Sequence, residues 1–117
     1  MKCLDPTCTE HPKRFQRLVT RSLRELQAEA YQCAVAKGWW EEARRPLELI
    51  ALMHSELSEA VEAWRNGDED NLAEELADTV IRVLDFCGHE HIDLQAAIEK
   101  KISINWSRPI RHGGKRA

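Results

Sequence analysis

Two consecutive helical segments of this chain each carry a pair of acidic residues three positions apart. The first pair is Glu56 and Glu59, and the second, after fifteen intervening residues, is Glu75 and Asp78. On a helix this spacing places both side chains on one face, with Cβ atoms about 5–6 Å apart. Two such helices side by side would hold four carboxylates that repel one another unless a cation binds, and Mg²⁺ prefers oxygen ligands of this kind. The pattern favours a packed helix pair around Mg²⁺ or Mn²⁺, with two solvated acidic faces as the alternative.

The remaining sequence predicts an all-α fold, a four-helix bundle with short loops that oligomerisation completes. Helical periodicity extends over residues 15–37, 46–66, 70–88 and 93–106. Gly38 ends the first helix, and Pro46 suits the first turn of the second. Asp70 or Asn71 can cap the third helix, and Asp93 can cap the fourth. No segment alternates apolar and polar residues as a half-buried strand does.

The second helix has two apolar arcs, where a surface helix needs one. The first arc, here called the apolar seam, has spacings of three and four residues and is formed by Leu47, Ile50, His54, Leu57, Val61 and Trp64. The second arc is formed by Leu49, Leu52, Met53, Ala60 and Ala63. Glu56 lies in the middle of the second arc, where a carboxylate is costly unless paired or metal-bound, and Glu59 lies at its edge. If both arcs are buried, a second subunit is needed to cover one of them. Because His54 lies in the apolar seam, it is interpreted as a core histidine.

The bulk composition is that of a single globular domain. Among 117 residues, 43% are hydrophobic and 32% are charged, and the net charge of −3 gives no sign of a nucleic-acid surface. No apolar run approaches the ~20 residues of a membrane span. The N-terminus lacks the apolar core of a signal peptide, so we expect a cytoplasmic protein.

An N-terminal arm over residues 1–14 is expected to precede the domain, which covers residues 15–117. The arm has two prolines and no periodicity. Cys3, Cys8 and His11 in this arm are interpreted as part of a loose, reduced segment, with a zinc site as the alternative.

The C-terminal part of the chain carries a basic face. The spacing of Lys101, Asn105 and Arg108 places their side chains on one side of a helix. Lys115 adds a cation in the tail. Opposite the four acids, such a set would bind phosphate oxygens. The alternative is a frayed basic helix end, favoured by the helix dipole.

Two adjacent tryptophans follow the first helix. Trp39 and Trp40 lie in the connector that begins at Gly38. Tryptophan in a connector either stacks on a nucleotide base or closes the end of a bundle, and the sequence leaves both open.

Two runs of this sequence resemble the MazG-like nucleotide pyrophosphohydrolases of the all-α NTP pyrophosphatase superfamily. They cover residues 48–65 and 71–85 and contain the two acidic pairs. The connector 37–40 and the ending 101–115 are similar to the same family, so the resemblance covers about residues 15–115. It implies a dimeric or tetrameric enzyme that hydrolyses a nucleoside triphosphate to the monophosphate and pyrophosphate, with pool cleaning as the expected role.

The resemblance also implies roles for particular residues. Metal ligands are expected at Glu56, Glu59, Glu75 and Asp78. Glu59 is expected to take the proton of the attacking water, with Glu56 beside it as a catalytic carboxylate. Substrate contacts are expected at Lys101, Asn105, Arg108, Lys115, Trp39 and Trp40. Two alternatives remain, a nucleotide-binding regulatory protein with weak turnover and a structural dimerisation module.

Overall fold

A computed structural model describes residues 20–116 of the chain, which form five helices and no strand. The helices are α1 (Leu23–Ala36), α2 (Pro46–Arg65), α3 (Glu69–His89), α4 (Leu94–Ser107) and the short α5 (Arg111–Gly114). The predicted all-α class is confirmed, and the short α5, in which all four residues have positive φ, adds a turn to the expected four helices. None of the helices described is long and apolar enough to cross a membrane. The predicted arm over residues 1–14 lies outside the described residues.

Helix α1 begins later than periodicity predicted, because a capping box fixes its first turn. The Ser22 hydroxyl accepts a hydrogen bond from the Glu25 amide at 3.1 Å, and the Glu25 carboxylate accepts one from the Ser22 amide at 3.2 Å. This reciprocal pair satisfies amide donors that a helix start leaves unpaired. Residues 20–22 are not helical. The predicted continuous helix from residue 15 was therefore wrong over these positions.

The other helix boundaries follow the turn and cap residues closely. Pro46 occupies the first turn of α2 as predicted. The cap of α3 is Asp68, which accepts a hydrogen bond from the Asn71 amide at 3.1 Å, so the prediction of Asp70 or Asn71 was wrong by two or three positions. Asp93 caps α4 as predicted and accepts a hydrogen bond from the Ala96 amide.

Helices α2 and α3, joined by the turn at 66–68, form a helical hairpin, and α1 packs on α3. Its core is the second arc of α2, where Leu49, Ala60 and Ala63 are buried against Leu84 and Cys87 of α3. Small alanine side chains let the two helices approach closely. The hairpin therefore holds the two acidic pairs on facing elements.

The apolar seam of α2 is exposed in the single chain, and its predicted cover by a second subunit stays a prediction. Leu47 is 81% exposed, Trp64 is 69% exposed, and His54 also lies on the surface. The prediction of a core histidine at His54 was wrong for the single chain. The sequence could not separate the two arcs, because both are apolar and only packing selects one.

Helix α4 is attached mainly through its first turn. The Arg24 guanidinium of α1 binds the Asp93 carboxylate at 2.9 Å, and the Arg24 amide donates to the Gln95 side chain. The Gln27 side-chain amide donates to the Ile92 carbonyl at 2.7 Å. The later part of α4 projects with exposed Ile102 and Trp106.

Gly88 lies where α1 packs closely against α3. A Cβ atom built at this glycine would lie 2.6 Å from the Cβ of Tyr31. Because a Cβ atom is fixed to its backbone, no side-chain rotation would relieve the contact. A larger residue at this position would therefore force the two helices to shift.

We expect Gly88→Ala to lower the free energy of unfolding by about 1–3 kcal/mol, the usual cost of an overpacked contact. Chemical denaturation monitored by circular dichroism measures this change. An alanine at a helical position without such a contact would instead stabilise the protein by about 0.5–1 kcal/mol. A neutral or stabilising result would contradict the close approach.

Candidate metal centre

Three of the four predicted acids meet across the α2–α3 hairpin. One oxygen from each of Glu56, Glu75 and Asp78 can be chosen so that all three lie within 4.8 Å of one another. Glu56 is buried, Glu75 is half-buried and Asp78 is exposed. The cluster therefore extends from the helix interface to the solvent, and a cation bound there would remain open to water and substrate.

Glu56 forms an ion pair with an arginine of the facing helix. The Arg82 Nε donates a hydrogen bond to Glu56 Oε1 at 2.6 Å. This contact lowers the pKa of Glu56, against a smaller opposing effect of burial. Glu56 is thus held as a carboxylate in the second arc, where the sequence predicted that it would need a partner.

Glu59 lies beside Glu75 at the same end of the cluster. Its carboxylate, together with burial and the nearby Glu56, raises the pKa of Glu75 from 4.5 to about 7. The largest cause is the hydrogen bond between the two carboxyl groups, which favours the protonated form of Glu75, and burial and the negative charge of Glu59 act in the same direction. All four predicted acids therefore interact, although Glu59 lies outside the tightest group of three.

The donor set fits a hard divalent cation. Its ligands are all carboxylate oxygens from residues on two rigid helices, and their charges exceed the single positive charge of Arg82. Mg²⁺ and Mn²⁺ suit such oxygen donors and retain several water ligands, for which the exposed side of the cluster has room. Part of the rise in the pKa of Glu75 comes from charge repulsion, which a cation would relieve.

The predicted phosphate contacts lie away from this cluster on the chain. Lys101, Asn105 and Arg108 are exposed on α4 and at its end, and Lys115 is exposed after α5. Within residues 20–116 none of the four forms an ion pair with the acids, and Arg108 instead contacts His112 at 3.1 Å. The single chain does not make the predicted meeting of basic and acidic sets.

The two connector tryptophans have different environments. The ring of Trp40 stacks on His89 with centroids 3.7 Å apart, and its Nε1 donates to Asp85 at 2.8 Å. Burial raises the pKa of Asp85, against the lowering effect of this hydrogen bond. Trp39 is 61% exposed, and the Arg44 guanidinium lies 5.7 Å from its ring centroid. Trp40 thus closes the bundle end, whereas Trp39 faces solvent.

Sequence reasoning assigned no role to Arg82, and it did not link Asp85 and His89 to Trp40. For Arg82 a signal was present, since it lies four positions after Asp78 and therefore on the same helix face. The partners of Trp40 had no comparable signal, because the connector and α3 are far apart in sequence.

Taken together, a hairpin of two helices with clustered carboxylates defines an all-α protein suited to binding a divalent cation. Residues 44–104 match the family model of the MazG nucleotide pyrophosphohydrolase domain. This match covers more than half of the 117 residues, and the chain belongs to the MazG nucleotide pyrophosphohydrolase family, a family of hydrolases. No curated protein and no solved structure matches the chain. The matched segment contains both acidic pairs and Arg82.

The raised pKa of Glu75 predicts a pH dependence of stability. The folded protein holds this proton up to about pH 7, whereas the unfolded chain releases it near 4.5. Between these values, raising the pH therefore destabilises the metal-free fold. Denaturation in a chelator across this range should show wild type losing stability relative to Glu75→Gln as pH rises. Parallel pH profiles of the two proteins would contradict the shift.

Proposed function

We propose that this chain is a Mg²⁺-dependent nucleoside triphosphate pyrophosphohydrolase that cleaves the α–β phosphoanhydride bond. The products would be a nucleoside monophosphate and pyrophosphate. The observation that carries the proposal is the convergence of three carboxylate oxygens within 4.8 Å, inside the segment that matches the family. Mn²⁺ would replace Mg²⁺ at the same oxygen ligands.

All four acids would bind the metal, and Glu59 would also act as the general base. Glu56, Glu75 and Asp78 would hold the metal, with Glu59 completing the set at its open side. Bound Mg²⁺ would supply polarisation of the phosphate and a lowered pKa of water. Glu59 is exposed and lies beside Glu75, so its carboxylate is accessible to accept the proton of the attacking water. Glu56 supports this step by its fixed charge.

The basic and aromatic residues would bind the remainder of the substrate. Lys101, Asn105, Arg108 and Lys115 are assigned to the phosphates. Because all four are exposed on α4 or in the segment after it, they could serve a cluster in a neighbouring copy. Trp39 offers an exposed ring for base stacking. Trp40 would contact a base only with the ring face that His89 does not cover.

A second copy of the chain is the partner that the apolar seam fits. Its alternating spacings of three and four residues are those of helices that pack along their length. A two-fold contact places the same surface on both copies, so one seam buries the other. The proposed enzyme is therefore a homodimer or a tetramer built from such dimers. Hydrolysis of nucleotides for pool cleaning would place it in the cytoplasm.

The reaction is tested by phosphorus NMR with Mg²⁺ and a panel of ribo- and deoxyribonucleoside triphosphates. Monophosphate and pyrophosphate are the expected products, and relative rates identify the preferred base and sugar. Diphosphate and orthophosphate would refute cleavage between the α and β phosphates. Saturable Mg²⁺-dependent nucleotide binding without turnover would instead establish a regulatory binding protein.

We expect Glu59→Gln to lower kcat by at least about 100-fold, the size of effect typical of a lost general base. Asp78→Asn should also leave a folded protein with little turnover, because it weakens a metal ligand. Steady-state pyrophosphate release measures both variants. Glu62→Gln, one turn from Glu59 on the exposed face of α2, is the matched control and should retain wild-type activity. Near-normal activity of both site variants would overturn the assignment.

We expect Leu57→Lys to dissociate the oligomer, because it places a charge in the middle of the apolar seam. Light scattering coupled to size-exclusion chromatography measures the change in mass. Ser55→Lys introduces the same charge on the polar face of α2 and should leave the mass unchanged. A wild-type protein that is already monomeric at micromolar concentration would refute the proposed partner.

A further inference from the structure

Arg82 is the cation that the fold itself places at the acidic cluster. It lies on α3 one turn after Asp78, and its Nε reaches Glu56 on α2 at 2.6 Å. Within residues 20–116 none of the other three acids forms an ion pair with a lysine or arginine. Arg82 therefore pairs with Glu56, the most buried acid of the cluster.

The contact constrains one oxygen of Glu56. The Glu56 side chain is 12% exposed and has little space to adopt another rotamer. The hydrogen bond joins Arg82 Nε to Oε1, and a carboxylate has a second oxygen with its own lone pairs. A guanidinium stays charged and donates in fixed directions, so it orients a carboxylate rather than only neutralising it.

We infer that Arg82 is a positioning residue of the proposed metal centre, which holds the Glu56 carboxylate in the orientation in which it would bind a cation together with Glu75 and Asp78. The inference rests on the proposed function, since it requires a metal at these ligands. Residues that hydrogen-bond metal-ligating carboxylates typically change metal affinity by about 10–100-fold when they are mutated.

A competing role for Arg82 predicts a different response to metal. If Arg82 only replaces the metal charge, its hydrogen bond to Glu56 would break when Mg²⁺ binds. As a positioning residue, it keeps its hydrogen bond when the metal is bound. The two roles differ in what happens to the Nε–H group of the wild-type protein during metal binding.

Arg82→Lys is the first test, because it keeps the positive charge and removes the directed Nε–H donor. We expect the Kd for Mn²⁺, measured by titration calorimetry without nucleotide, to weaken by about tenfold. Arg65→Lys is the matched control, since Arg65 is an exposed arginine of α2 that contacts Glu62 at 3.5 Å, and its Kd should equal that of wild type. A Kd for Arg82→Lys within twofold of wild type, or tighter, would overturn the inference.

The second test uses wild-type protein and does not depend on folding of the variant. The Arg82 Nε–H signal in nitrogen-15 NMR should remain slowly exchanging and hydrogen-bonded when Mg²⁺ is added. Loss of this protection at saturating Mg²⁺ would show displacement and overturn the inference. Absence of any metal binding by wild type would refute the proposed function together with it, whereas binding with an unchanged Arg82→Lys variant would refute the inference alone.

Discussion

The close packing of α2 on α3 is the constraint on which the rest of the structure depends. Ala60 and Ala63 are small, buried residues of α2, the helix that packs against α3. The same packing brings Glu56 within reach of Arg82 and close to the acids of α3. Core and site thus share one interface, and a change in helix spacing would alter both.

Acidic side chains outnumber basic ones at the interface between α2 and α3. One arginine lies beside four carboxylates, and the hydrogen bond with Glu59, burial and the neighbouring negative charge raise the pKa of Glu75 to about 7. Apolar side chains could replace a partly buried ion pair of this kind at little cost in stability. Clustered carboxylates with a perturbed pKa are instead typical of functional sites, which agrees with membership of a hydrolase family.

The described chain leaves several apolar and basic surfaces without partners. The apolar seam of α2 and the projecting part of α4 are exposed, while the acidic cluster lies within the hairpin. The proposed homodimer would bury the exposed, regularly spaced residues of the apolar seam. The separation of acids from the basic set explains why the proposed enzyme would need more than one copy to surround a triphosphate.

The sequence by itself determined the helices, most of their boundaries and the placement of each acidic pair on one face of its helix. These follow from local rules, because helical period and capping depend on residues within a few positions of one another. Only the tertiary structure decided which arc of α2 is buried, that Arg82 pairs with Glu56 and that Trp40 stacks on His89. Those outcomes depend on the distance between elements remote in sequence, which packing sets and no local pattern encodes.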